Sequence, residues 1–297
     1  MTYDSTQPSF VRENWHLFAT PLTTLLTDVN LDMRARALKM VPIYISKCGI
    51  GLILRTGLSQ FLQTLIFPGL AFLPESTPLI ESIAILEPTY EALIYLSEFL
   101  QDGGGVEQAR DSAMVLDRLI REGITNGYRH AGKYPDIVEI LMRSLGRIVS
   151  AMGFRSSKHL KVTNVGIHAA SLHSQLTQLI RQDLLPIYWE ILTDPFASHH
   201  YKSVTAAIDA LGATLVAVWP RILSGGHVLK IMEMISLCWL NMEGTGGVPS
   251  SNVRANLQRI RQLLSAISAS GSEACTHEGY VMALVRKEPW LTPLLSL

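Results

Sequence analysis

The stretch PDIVEILMRSLGRIVSAM, from Pro135 to Met152, decides the class of fold that this sequence predicts. Pro135 suits the first turn of a helix, where its missing N–H is not needed. Asp136 and Glu139 place negative charge close to the N-terminal end of the helix dipole. Apolar residues recur at steps of three and four, which aligns them along one face of an α-helix: Ile137, Ile140, Leu141, Leu145, Ile148 and Met152. The stretch therefore predicts an amphipathic α-helix.

The same three- and four-residue spacing recurs in the segments 106–124 and 253–267. No segment shows sustained two-residue alternation, and no Asn-Gly turn joins two runs of β-forming residues. Asn126-Gly127 lies between two helical patterns, so we predict that a helix ends there. Breaks rich in proline, glycine and aspartate divide the chain into about ten to twelve helices joined by short loops. The sequence therefore predicts an all-α chain.

A weak internal repeat favours a stack of helical hairpins over a bundle. The segments PLTTLLTD (21–28) and LPIYWEILTD (185–194) are apolar helices that both end in Leu-Thr-Asp. A short turn and a second helix that contains alanine follow each of them, at 33–38 and at 204–211. In HEAT-type units the Asp closes the turn, and small residues let the second helix pack closely. Two matches give no strict period, so the predicted fold is a degenerate HEAT-like helical-repeat solenoid.

The composition limits the partners that the chain is expected to bind. Its 297 residues include 25 basic and 25 acidic side chains, for a formal net charge of zero. That balance gives no electrostatic footprint for nucleic acid or for an anionic membrane, so we predict no direct contact with either. Only 17% of the residues are charged. Either much of the surface is uncharged and polar, or a partner covers part of it.

The three cysteines, Cys48, Cys238 and Cys275, are odd in number and far apart. Each lies among apolar or helix-forming residues, as a buried and reduced thiol would. The first ten residues contain no basic region followed by an apolar stretch, so no signal peptide is expected. We therefore expect the protein in a reducing compartment, in the cytoplasm and the nucleus.

No segment predicts a catalytic, cofactor-binding or metal-binding residue. The sequence contains no dinucleotide fingerprint, P-loop, nucleophile elbow or zinc-protease motif. Gly103–Gly105 and Gly244–Gly247 lack a preceding strand and a phosphate-binding lysine, which favours flexible loops. His199 and His200 are adjacent and point to different faces of a helix, which favours solvated side chains over a metal site.

A series of short phrases runs through the chain in a fixed order. They are WHLF (15–18), PL (21–22), LLTD (25–28), RAR (34–36), LRTGL (54–58), FLP (72–74), YRHA (128–131), KHLK (158–161), LTDPF (192–196), WPR (219–221) and CWLN (238–241). In this order they resemble the Tel-two-interacting protein two family, which supplies the third subunit of the TTT complex. The likeness covers most of residues 10–243 and fades beyond Gly244.

The resemblance implies a non-enzymatic adaptor that joins two larger helical-repeat TTT subunits. It also implies a cochaperone role, with the ninety-kilodalton heat-shock chaperone and its RuvB-like helicases as indirect partners. The implied clients are the phosphatidylinositol-kinase-related protein kinases, and through them DNA-damage signalling and telomere maintenance. Because the implied mechanism is scaffolding, the resemblance leads us to expect no cofactor.

The likeness also sets the predicted domain organisation, a family-like helical-repeat region at 1–243 and a helical extension of the same solenoid at 244–297. In the family pattern, a segment like KHLK runs almost directly into one like Asp183–Pro186, whereas here Val162–Gln182 intervenes. This stretch is either a genuine insertion or a retained intron, because valine codons begin with GT and a glutamine codon can be CAG. Either way, we expect it to pack poorly against its neighbours.

Family members usually carry more sequence before the region where this chain begins, so a truncated N-terminus is a further hypothesis. If helices are missing there, an apolar face near residues 12–48 would be left bare.

The candidate partner-binding residues are Trp219, Arg221, Trp239 and Asn241, on two segments of the family-like region. The same residues serve equally well as core. Two alternatives to the adaptor remain. One is an unrelated helical-repeat scaffold of the transport or trafficking type, which usually needs regular repeats and a strongly charged inner surface. The other is a helical enzyme assembled from scattered residues such as Asp117, Glu122 and His130.

Overall fold

A computed structural model of the chain describes residues 8–159, 183–218, 225–244, 251–269, 286 and 292–295. Every regular element within those ranges is helical, so the prediction of an all-α chain is confirmed, and the fold is of the helical-repeat type. The chain divides into two compact units, Met1–Ser144 and Leu145–Leu297. The predicted boundary at Gly244 concerns where the family likeness fades, and it stays a prediction.

The first unit is a succession of helices joined by short loops. Its α-helices are α1 (Pro8–Glu13), α2 (Trp15–Leu26), α3 (Leu31–Cys48), α4 (Ile50–Thr56), α5 (Leu58–Ile66), α6 (Leu79–Asp102), α7 (Val106–Arg118), α8 (Asn126–Ala131) and the first turns of α9 (Pro135–His159). A 3-10 helix spans Phe67–Ala71, and a π-helix spans Leu119–Thr125. The predicted start of a helix at Pro135 is confirmed.

Helix α6 forms the centre of the first unit, and the main partners packed against it are α3 and α7. It buries most of its side chains, including Tyr90, Leu93 and Ile94. Helix α3 buries only one face against it. Helix α3 therefore has a second face, which is directed away from the core.

The second unit contains the remainder of α9 and a second set of helices. These are α10 (Leu185–Leu192), a 3-10 helix (Ala197–His200), α11 (Tyr201–Val218), α12 (Gly225–Gly244), α13 (Ser251–Ala269) and α14 (Thr292–Leu295). Helix α11 packs against both α10 and α13. Its small residues allow close approach, since a Cβ on Gly146 of α9 would lie 3.4 Å from the Cα of Ala210. The segment Val162–Gln182 lies outside the described residues.

The two Leu-Thr-Asp motifs have the same turn geometry. In each, the threonine hydroxyl donates to the carbonyl oxygen four residues earlier, at 2.9 Å from Thr27 and 2.7 Å from Thr193. The following aspartate accepts the backbone N–H two residues later, at 2.8 Å for Asp28 and 2.9 Å for Asp194. Such local side-chain bonds favour a turn over continued helix. The prediction that the Asp closes both turns is therefore confirmed.

The predicted helix end at Asn126-Gly127 is wrong. The chain stays helical from α7 through the π-helix into α8, which begins at Asn126. A Cβ on Gly123 would lie 2.8 Å from the hydroxyl oxygen of Tyr90, and one on Gly127 would lie 3.3 Å from a methyl carbon of Leu141. These glycines let the helix approach buried side chains closely, which sequence alone does not distinguish from a helix end.

Candidate protein-interaction site

Helix α12 carries two of the four candidate partner-binding residues. Trp239 is buried, and the Arg254 guanidinium lies over its ring at 5.7 Å from the centroid. A guanidinium at that distance contributes a cation–π attraction of about 0.5–1 kcal/mol or more, depending on desolvation. Trp219 and Arg221 lie outside the described residues. Because Trp239 is covered by its own unit, direct contact with a partner would require it to be uncovered.

Asn241 reaches across to the Leu-Thr-Asp turn of the second unit. Its side-chain amide donates to the carbonyl oxygens of Thr193 and Asp194, both at 3.2 Å. These two carbonyls follow the end of α10, where backbone acceptors lack intrahelical partners. Asn241 therefore anchors the turn, and a partner-binding role for it stays a prediction.

The anchored turn presents an aromatic surface. Phe196 is 65% exposed, and its ring lies 6.4 Å from the imidazole of His199. Tyr201, at the start of α11, is also exposed. Exposed aromatic side chains held on a fixed turn are typical anchors of protein interfaces. Phe196 is the last residue of the family phrase LTDPF, and the sequence does not indicate its exposure, because exposure depends on the tertiary packing of the turn.

The residues named for a scattered enzyme site are engaged in separate surface pairs. Asp117 pairs with Arg121 at 3.0 Å, Glu122 pairs with Arg118 at 2.9 Å, and His130 lies 3.2 Å from a Glu75 carboxylate oxygen. All six side chains are more than a third exposed. The two arginine–carboxylate contacts are therefore ordinary surface ion pairs that contribute roughly 0–1 kcal/mol each, and the His130–Glu75 contact is a surface hydrogen bond.

In the part of the chain that the structure describes, no group of three or more His, Cys, Asp or Glu side chains could hold a metal ion. His199 and His200 are exposed, as predicted for solvated side chains.

Two of the three cysteines are buried thiols. Cys48 and Cys238 are free and inaccessible to solvent. Burial raises the pKa of the Cys238 thiol to about 12, so thiolate is a negligible fraction of this side chain near neutral pH. Burial also raises the pKa of Cys48, although the Tyr44 hydroxyl and the Arg12 guanidinium oppose that shift. The predicted buried thiols are confirmed at these two positions, and Cys275 lies outside the described residues.

No single helix of the described ranges is long and apolar enough to cross a membrane. Helices α3 and α4 together reach the required length and composition, but they are bent by 101° at the break between them.

A comparison with known proteins confirms the likeness over the first part of the chain, and the likeness beyond residue 177 stays a prediction. The model of the Tti2 family matches residues 1–177, which is more than half of the 297 residues. The match ends within Val162–Gln182, whose status as an insertion stays a prediction. No curated protein and no solved structure matches the chain. This chain belongs to the Tti2 family, whose members are subunits of the TTT cochaperone complex.

Proposed function

We propose that this protein is a non-enzymatic adaptor subunit of a TTT-like cochaperone complex. In that complex it would join two larger helical-repeat subunits and help phosphatidylinositol-kinase-related protein kinases to mature and assemble. The observation that carries the proposal is the family match over residues 1–177. The adaptor role, and not only membership in the family, is the part that needs testing.

The physical character of the chain supports scaffolding. Helical hairpins that stack on one another offer extended surfaces for protein contact. The formal net charge of zero gives no general attraction to polyanions. Scaffolding also requires no bond to be made or broken by this chain. The chain would act by holding its partners together, which raises their effective concentration.

The finer partners and the location belong to the same proposal. The indirect partners are the ninety-kilodalton heat-shock chaperone, the RuvB-like helicases and the client kinases, in the cytoplasm and the nucleus. We place one partner contact on the second unit, around the end of α12 and the turn that Asn241 anchors. The exposed Phe196 and Tyr201 are the side chains there that a partner could cover.

The test is coexpression of the full chain with the two larger TTT-type subunits, followed by affinity capture on one of them. We expect stoichiometric recovery of all three proteins after size-exclusion chromatography. A matched pair of variants locates the contact. Phe196→Ser should lower recovery, whereas Val106→Ser, at an equally exposed apolar position in the first unit, should not.

One outcome would contradict the proposal, and another would restrict it to the family pattern without Val162–Gln182. Wild-type chain that is folded by circular dichroism but is never captured would exclude the adaptor function. Capture only after deletion of Val162–Gln182 would support the adaptor function for the family pattern and identify this stretch as the defect. Transcript sequencing across Lys161 and Asp183 separates a retained intron from a genuine insertion.

A further inference from the structure

Helix α3 has an outer face that the described residues of its own unit leave uncovered. Among its apolar side chains, Met33 is 39% exposed, Met40 is 55% exposed and Ile43 is 60% exposed. At about 100° per residue, steps of seven and three keep these side chains within roughly a quarter of the helix circumference. They define an apolar stripe along one side of the helix, which Arg36 and Lys47 interrupt.

The opposite face of α3 is locked into the core, so the outer face cannot turn inward. Leu38, Val41 and Ile45 are fully buried there. At the start of the helix, the Asn30 side chain accepts the N–H groups of Asp32 and Met33. Further along α3, the Tyr44 hydroxyl donates to a backbone carbonyl of α2 at 3.0 Å. The stripe is therefore presented on a fixed support.

Positive charge accompanies the stripe. Arg36 and Lys47 fall inside the same quarter of the helix, and Lys39 lies beside them. Within the described residues, no carboxylate forms an ion pair with any of these three side chains. The acidic residue of α3 is Asp32, which lies in the first turn, where it favours the helix dipole. The outer face of α3 thus combines apolar side chains with three basic ones, and Asp32 at its N-terminal end is its acidic residue.

Helices α1 and α2 add apolar surface in the same unit. The rings of Phe10 and Phe18 meet edge to face at 6.2 Å, and both remain exposed. Leu17 is exposed as well. Because α1 and α2 both pack against α3, these exposed side chains lie on helices that neighbour it.

We propose that the outer face of α3 binds an amphipathic helix of a partner protein whose apolar stripe is flanked by carboxylates. Its apolar side chains would pack on Met40 and Ile43, and its carboxylates would pair with Arg36, Lys39 and Lys47. Methionine adapts its shape to an incoming surface, and an amphipathic helix presents its own apolar anchors along one face. The inference rests on the proposed adaptor function and adds to it the chemistry of one partner segment.

Charge favours a protein partner over a membrane for this face. Stable attraction to an anionic lipid surface usually involves clusters of about four to eight basic residues. The outer face of α3 has three, and Asp32 opposes them. A short acidic helix needs only a few such pairs, because its apolar stripe supplies the rest of the contact.

The experiment uses the full chain in complex with the two larger TTT-type subunits. A carbodiimide joins lysine amines to carboxylates at zero length, so it reports direct pairing. We expect Lys39 and Lys47 to be joined to Asp- or Glu-containing peptides of a larger subunit. Acetylation of both lysines should slow several-fold relative to the free chain, while exposed Lys133 serves as the internal reference.

Matched variants separate the contribution of charge from that of apolar packing. Lys39→Glu with Lys47→Glu, and Met40→Ser with Ile43→Ser, should each weaken capture by roughly tenfold or more, as loss of interface anchors does. Val216→Ser on α11 is the control, because that side chain is equally exposed and lies in the other unit. Circular dichroism should show unchanged helicity for all three variants.

The outcomes are distinguishable. A complex that forms while Lys39 and Lys47 acetylate at the rate of the free chain would overturn this inference and leave the adaptor function intact. Failure of the folded wild-type chain to form any complex would overturn both. Cosedimentation with phosphatidylserine-containing vesicles, lost on Met40→Ser with Ile43→Ser, would assign the face to a membrane and overturn the protein partner.

Discussion

Helices α3 and α11 come after the two Leu-Thr-Asp turns, α3 directly and α11 after the 3-10 helix Ala197–His200, and they lie in different surroundings. Helices α3 and α11 both span 18 residues, and the turns before them have the same threonine and aspartate hydrogen bonds. Helix α11 is packed between α10 and α13, so most of its apolar side chains are buried. Helix α3 leaves Met40 and Ile43 exposed. The local hydrogen bonds form the turn of each hairpin. The helices packed around the second helix of the hairpin determine whether its outer face is covered.

The difference between α3 and α11 indicates which surface of this helical-repeat protein is available for binding. In such folds each helical repeat covers one face of the repeat before it. An apolar face that stays uncovered is available to another chain. The second unit covers α11 with its own α13. The first unit has no described helix over the outer face of α3. We therefore expect changes on the two helices to separate into effects on stability and effects on binding.

The largest expected effect comes from buried leucines at comparable depth. Leu38→Ala on α3 and Leu211→Ala on α11 should each lower the free energy of unfolding by about 2–5 kcal/mol, because both side chains are fully buried. Met40→Ala on the outer face of α3 should change it by less than about 0.5 kcal/mol. Urea titration followed by circular dichroism measures all three. An equal loss at Met40 and Leu38 would mean that α3 is covered in solution.

A smaller effect is expected at the anchor of the second turn. Asn241→Leu removes the donor to the carbonyls of Thr193 and Asp194, which should cost about 1–3 kcal/mol. Asn241→Asp should be at least as destabilising near neutral pH, because a carboxylate facing two carbonyl oxygens only accepts hydrogen bonds. Acidification should restore part of that loss, since a protonated carboxyl can donate. Urea midpoints across a pH series test this, and a pH-independent loss would contradict the donor role.

The sequence was sufficient for features that depend on neighbours along the chain. The helix from Pro135 and the closure of both turns by Asp28 and Asp194 follow from spacing and from local side-chain chemistry. Tertiary approach was not predictable in the same way. Gly127 was interpreted as a helix end because a glycine that makes room for Leu141 has the same local signal as one that breaks a helix.

The candidate site was predicted less completely than the fold. Trp239 was recognised as either core or contact, and only packing shows that it is buried. The acceptors of Asn241 lie 48 and 47 residues earlier, so no local pattern indicates them. The outer face of α3 did have a signal, because Met40 and Ile43 fall off the stripe of buried residues. That signal becomes informative only when the packing of α3 against α6 shows which of its faces is directed to the core.

The smallest expected effect concerns the first Leu-Thr-Asp turn, where Asn30 caps the N-terminus of α3. The side chain of Asn30 accepts the N–H groups of Asp32 and Met33 at 3.0 and 3.3 Å, with its own backbone extended as an N-cap requires. Asn30→Ala should lower the free energy of unfolding by about 0.5–2 kcal/mol, whereas Asn30→Asp should keep the cap. If Asn30→Ala also weakened capture by the larger subunits while α3 stayed helical, the cap would be orienting the outer face of α3. If capture were unchanged, the buried face alone would be sufficient to orient α3. Measuring both urea midpoints and capture for the same two variants therefore separates helix formation from presentation of the outer face.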